Sequence, residues 1–231
     1  MTAAAWGAGV LLVVVPIGFN VAFALLAARF DYPDVLRRPT GEVLAAFRAG
    51  GTGLVRLWWA FALTAALMVP LVVLLGQVLG DADPGLVAVA TTVGVLAGVV
   101  QLLGLVRWPF LVPYLARADG EAGVSEARRE AIDVVFQSFN RYLGVGVGEH
   151  LGYGLTGAWT TLTGVAMLQS GAVPAWIAVL GLVVGPVLML CSLEFVGRHE
   201  PTGWKLAERL TPATYVAWSL WLVATGVVVL V

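Results

Sequence analysis

The segment NRYLGVGVGEHLGYG, residues 140–154, sets an acid and a histidine side by side in a stretch otherwise suited to lipid. Glu149 brings a carboxyl group that can move a proton or hold the polar end of a ligand. His150 adds a second titratable group, but on an α-helix it points about 100° away from Glu149. The same arithmetic sets Ser138, Tyr142, Glu149, Tyr153, Thr156, Thr160 and Thr163 within about 40° of one line, a polar stripe that will not face lipid. Gly144, Gly148 and Gly152 recur every four residues along an adjacent face. A dinucleotide-loop reading of these glycines fails, because that loop needs a strand before it and a helix after it. Small residues at this spacing are instead how membrane helices bring their backbones into contact.

The elements that must position these groups are apolar helices. Of 231 residues, 60% are hydrophobic and 12% charged, against about 25% charged in ordinary soluble domains. Six segments approach the roughly 20 apolar residues a spanning helix needs: about 4–28, 57–79, 85–106, 143–168, 172–195 and 213–231. Barrel strands alternate and are about 10 residues long, so continuous apolarity selects helices. The expected fold is all-α, a single six-helix transmembrane domain over residues 1–231. The first segment has no basic residue before it and reads as a retained span rather than a signal peptide.

Basic residues set the expected orientation. Arg29, Arg37, Arg38, Arg48 and Arg56 flank the first connection, Arg107, Arg117, Arg128, Arg129 and Arg141 the third, and Arg198, Lys205 and Arg209 the fifth. The connections GDADPG and QSGAVP carry no Lys or Arg. The positive-inside rule then places the three basic connections in the cytoplasm and both termini outside, in a bacterial cytoplasmic membrane. Short interfacial helices are expected on that side near 40–50, 125–140 (with Ser125 as N-cap) and 202–210, where Trp204 anchors at the headgroups.

Depth follows from a rise of about 1.5 Å per residue. Glu149 lies eight residues beyond Arg141, about 12 Å into an apolar core about 30 Å thick. Asn20, Thr64, Gln101 and Ser219 fall at similar levels on other spans. An ionised carboxylate there costs about 2.5–3.5 kcal/mol on insertion scales. Glu149 is therefore either protonated and hydrogen-bonded to Asn20, Gln101 or a tyrosine, or paired with Arg107 or Arg56. Arg56, Arg107 and Arg141 otherwise snorkel to the headgroups or bind an anionic headgroup, and Glu194 pairs with Arg198 one turn on. Pro16, Pro70 and Pro186 fall inside spans as candidate kinks. The candidate ligand-binding residues are Glu149, His150, Asn20, Gln101, Tyr153, Tyr142 and Arg107.

Several function classes are excluded. His150 and His199, the only histidines, lie at different depths, which leaves no histidine-rich metal site and implies no cofactor. No serine or cysteine shows a nucleophile motif with a partner base. A single cysteine, Cys191, permits no internal disulfide. No basic helix face stands clear for nucleic acid.

The block FQSFNRYLGVGVGEHLGYGLTGAWTTL, followed by a Gly/Leu-rich span and LEFVG, resembles a bacterial family of six-span membrane proteins classed as a domain of unknown function, frequent in actinobacteria. The likeness is best from Asn140 to Trp159 and extends loosely over the chain. It implies a compact six-helix membrane bundle and no activity. The residues themselves point to a polar pocket around Glu149 that binds a small or lipidic ligand, with membrane lipids as partners. Alternatives are an integral membrane enzyme using Glu149 as general acid or base, a proton-coupled transporter, and an accessory subunit without chemistry.

Overall fold

A computed structural model describes residues 2–200 and 202–231, and the described chain is all-helical. Helix α1 covers Ala3–Phe30, α2 Thr40–Val78, α3 Pro84–Asp119, α4 Glu126–Phe139, α5 Gly152–Ser170, α6 Ala175–Cys191 and α7 Lys205–Leu230. Between α4 and α5, Asn140–Leu151 form a wide π-helical segment, so residues 126–170 make one continuous rod. The starts are capped by the local sequence. Thr2 accepts from the Ala5 amide at 3.1 Å, Asp83 from Leu86 at 2.8 Å with Pro84 in the first turn, and Ser125 from Arg128 at 3.3 Å. These caps satisfy amides that have no partner inside the helix.

Six rods close into a ring. α1 packs on α2 and α7, α2 on α3, α3 on the wide segment and α5, α5 on α6, and α6 on α7. Among the described residues, four helices are long and apolar enough to cross a membrane: α1, α2, α3 and α7. α6, at 17 residues, is about 25 Å long, shorter than an apolar core of about 30 Å. In the fourth rod the π-helical segment separates two shorter α-helical stretches, Glu126–Phe139 and Gly152–Ser170.

Residues 126–139 form the short helix α4, capped by Ser125 as expected, while the other two expected short helices are the first parts of longer ones. Residues 40–50 form the first part of α2, which bends at Gly51, where φ 54° and ψ −154° suit only glycine. α4 runs through the wide segment into α5, and residues 205–210 are the first turns of α7; Pro201, beside the third expected helix, lies outside the described residues. Hydropathy marks where a helix can contact lipid. Helix length is set by unbroken backbone bonding, which continues past that boundary when no cap or breaker intervenes.

Two apolar clusters fill the ring. One gathers Leu12, Leu71, Leu75, Trp159, Ile177, Leu188, Trp218 and Trp221. The other gathers Phe30, Phe47, Trp58, Trp108 and Phe136, with the Trp58 and Trp108 rings stacked at 4.3 Å and 7°. Polar bonds lie between them along the chain: Asn20 Nδ2 donates to Ser219 Oγ at 2.9 Å and Gln101 Nε2 to Thr156 Oγ1 at 2.8 Å. Trp218 Nε1 donates to Thr160 Oγ1 at 3.0 Å.

The seam between α3 and the fourth rod is built on glycine. A Cβ on Gly104 would stand 2.7 Å from the Gly148 Cα, and one on Gly144 would stand 2.6 Å from the Arg107 guanidinium. A Cβ on Gly152 would meet the Gln101 side chain at 2.9 Å. Each glycine of the i, i+4 stripe thus admits one residue of α3: Arg107, Gly104 and Gln101 in turn. Gly104→Ala is expected to lower thermal stability of the detergent-solubilised protein by about 1–3 kcal/mol through overpacking. Gly53→Ala, where a Cβ meets nothing within 4 Å, should be neutral or stabilising by up to about 1 kcal/mol.

Candidate functional site

Glu149 sits in the wide segment, next in sequence to Gly148 of the glycine contact with α3. Four glycines in residues 140–152 remove side chains that would otherwise pack one turn on the next. The backbone there bonds to the fifth residue rather than the fourth, a geometry that occurs mainly at functional sites. The wider winding also breaks the expected polar stripe. Thr156, Thr160 and Thr163 in α5 are buried, whereas Ser138 and Tyr142 face outward, Tyr142 with 71% of its surface exposed. An angle of 100° per residue holds for α5 and fails across residues 140–151.

Opposite this segment, α6 stops at Cys191 and the chain turns through residues 192–197, with Gly197 at φ 63°. The two irregular stretches enclose a cleft of about 280 Å³, lined by Val145, Gly146, Glu149, His150 and Tyr153 on one wall and residues 191–192 and 194–197 on the other. His150 Nδ1 lies 2.7 Å from the Ser192 carbonyl oxygen. That oxygen can only accept, so Nδ1 carries the ring proton and donates it, tying the two walls together. Ser192 Oγ donates to the Met189 carbonyl at 2.7 Å. Tyr153 packs edge-on against Tyr215 of α7, ring centres 5.1 Å apart.

Of the seven residues singled out from sequence, Glu149, His150 and Tyr153 line this cleft. The other four stand elsewhere. Gln101 packs on Gly152 from the α3 side and is bound to Thr156. Asn20 donates to Pro16 O within α1 at 2.7 Å and holds the α1–α7 seam through Ser219. Tyr142 is on the outer surface. Arg107 lies behind the wide segment, above Gly144.

Arg107 does not snorkel. It is 8% exposed, with Nη1 donating to the Gly104 carbonyl, Nη2 to Asn140 Oδ1 at 3.1 Å, and its guanidinium 5.4 Å from the Trp108 ring centre. The glycine at 144 opens the space that draws it inward. Arg56 is exposed, and Arg141 pairs with Glu200. Among the described residues, neither Glu149 nor Arg107 forms an ion pair, and no side chain donates to the Glu149 carboxylate.

Tyr32, in the connection after α1, reports the surrounding field. Burial pushes its hydroxyl up to about 12, the Glu149 carboxylate adds to the rise, and Arg107 opposes it. The three groups therefore share one electrostatic neighbourhood. Glu194 also departs from its expected partner. α6 ends before it, so the helical spacing to Arg198 is lost, and Arg198 Nε instead lies 3.3 Å from His199 Nε2. Burial and the nearby Glu208 raise the Glu194 carboxyl, while Arg37 lowers it. The second wall was hidden from sequence reading because residues 192–197 continue an apolar run. The acid in LEFVG, close to a glycine, was the one available signal.

Fold and cleft together define a class: an all-helical bundle with helices of membrane-crossing length and apolarity, opened by a largely apolar cleft that holds two carboxyl groups and an imidazole, where two of its rods lose regular winding. The chain belongs to the family described as Domain of unknown function (DUF4386), which matches residues 7–226. Comparison with curated proteins and with solved structures finds no match.

Removing Arg107 deletes a buried cation held by two hydrogen bonds. Arg107→Ala leaves the Gly104 carbonyl and Asn140 Oδ1 without their donor and is expected to destabilise the protein by about 1–3 kcal/mol, and Arg56→Ala, at an exposed position, by less than about 0.5 kcal/mol. Thermal denaturation of the two purified variants in one detergent checks the contrast.

Proposed function

We propose that this chain is a multi-pass protein of a bacterial cytoplasmic membrane, that all six rods cross it with both termini outside, and that the cleft at Glu149 binds a small or lipidic ligand. The observation that carries the binding reading is irregular backbone on both walls of one cleft. A π-helical stretch keeps its backbone groups bonded but is rare and found mostly at functional sites, and in lipid the unwound turn beyond α6 survives only where protein buries it or where it lines a water-filled cavity. Here the wide segment and the turn after α6 converge on the same space, with an unpaired carboxylate between them. Ionisable groups at such depth are costly and mark functional paths.

The orientation rests on charge. The interhelical clamps Arg48–Asp119 at 2.8 Å, Arg37–Glu208 at 2.8 Å and Arg141–Glu200 all join the basic connections, which the positive-inside rule assigns to the cytoplasm. α6 then ends short of that face, and its end opens the cleft toward the inner leaflet.

Two measurements test these readings. With Cys191 replaced, Asp81→Cys and Arg128→Cys should label from opposite sides of sealed vesicles; labelling from one side overturns the topology. Mass spectrometry of molecules co-purifying with wild type should reveal a species lost from monodisperse Glu149→Gln. Identical profiles would shift weight to a purely structural role for the carboxyl.

A further inference from the structure

The cleft presents more hydrogen-bond acceptors than donors, its free side-chain donor being the Tyr153 hydroxyl on the wide-segment wall. Ser192 spends its hydroxyl proton on Met189 O. His150 spends its Nδ1 proton on Ser192 O, which leaves Nε2 as a lone-pair acceptor in the neutral ring. Glu149 and Glu194 add two carboxylates, neither with an ion-pair partner among the described residues. No Lys or Arg lines the cleft. Arg107, the buried cation nearby, is turned toward Gly104 and Asn140 on the far side of the wide segment. The remaining wall is apolar or aromatic: Val145, Tyr153, Phe195 and Val196 among it.

We infer that the cleft takes a small organic ammonium ion carrying an apolar tail, with its charged head between Glu149 and Glu194 and a proton donated to His150 Nε2. A primary ammonium has three donors and no acceptor, which complements two carboxylates and an imidazole lone pair. The Tyr153 and Phe195 rings add faces that attract cations. A neutral alcohol would satisfy the geometry of one acceptor and leave the charge unanswered. An anion would meet two carboxylates. A bare metal ion is the other cationic occupant, but among the described residues no three His, Cys, Asp or Glu side chains are placed to hold one. The cleft of about 280 Å³, at about 30 Å³ for each water-sized group, holds about nine non-hydrogen atoms. That is the size of an eight-carbon amine.

This inference rests on the reading of the cleft as a ligand pocket, and a charge series separates the two. Octylamine, octanol and octanoate share a tail and differ in the charge of the head. Each is titrated into the full chain in nanodiscs of zwitterionic phospholipid, with binding read by native mass spectrometry against empty nanodiscs. Octylammonium is expected to bind saturably and at least about tenfold more tightly than the other two, from the strength of charge-assisted bonds. Glu149→Gln and Glu194→Gln should each weaken it about tenfold and leave octanol unchanged. Glu194 lies beyond α6, so its variant serves even where Glu149→Gln does not fold. Octanol or octanoate binding as tightly as octylammonium, and abolished by Gly146→Trp, would overturn the ammonium assignment and leave the pocket. Saturable binding of none of the three to wild type would overturn both.

Discussion

The contact on which the rest of the molecule depends is the one between Gly104 and Gly148. Two backbones meet there with no side chain between them. In an apolar solvent, helices gain little from hydrophobic burial against one another, so close van der Waals approach has to do most of the holding. Bringing the rods to that distance settles what surrounds the contact. Arg107 and Gln101 lie one turn to either side of it, each over a glycine of the facing rod. The same device recurs where Gly157 meets Gly185 between α5 and α6, and where Gly9 meets Gly226 between α1 and α7. The ring is closed at several seams by residues with no side chain.

Closeness on one face of the fourth rod leaves irregularity on the other. The glycines that admit α3 also deprive residues 140–151 of the packing that keeps a helix tight, and the segment winds wide. Opposite it, α6 ends early, and the chain returns through a turn rather than a helix. The Nδ1 proton of His150 bridges to the Ser192 carbonyl left at that end, one of the orphan acceptors every helix terminus carries. The cleft is the space where these two departures from regular winding face each other. Its polarity has the same origin, since Glu149 and Glu194 sit on the two irregular stretches.

Much of this was legible in the chain before any coordinates. Glycines at 144, 148 and 152 in an apolar run mean backbone approach, because only a missing Cβ permits it. Asn20 and Ser219, counted to a common depth, do bond to each other, while Gln101, expected as a partner of Glu149, bonds Thr156 instead. Other readings depended on a winding the chain does not keep. Tyr142 was placed beside Glu149 by a period of 3.6 that fails across the wide segment. Arg198 was placed beside Glu194 by a helix that ends at Cys191. Arg107 was expected to reach for the headgroups, yet the space over Gly144 and the carbonyl of Gly104 hold it inside.

Composition and spacing alone determined that the chain is helical and apolar, and that one apolar stretch carries an acid in its interior. These follow from properties each residue has wherever it is placed: hydropathy, charge and the presence or absence of a Cβ. Only the tertiary structure decided which face of the wide segment the acid occupies and that a second carboxylate, more than forty positions later, shares its cleft. That outcome depends on helix winding and helix ending, which are settled by backbone bonding between partners and not by the residue types in one stretch. A glycine states that another backbone can come near; which backbone comes, and what is left open on the opposite side, belongs to the fold.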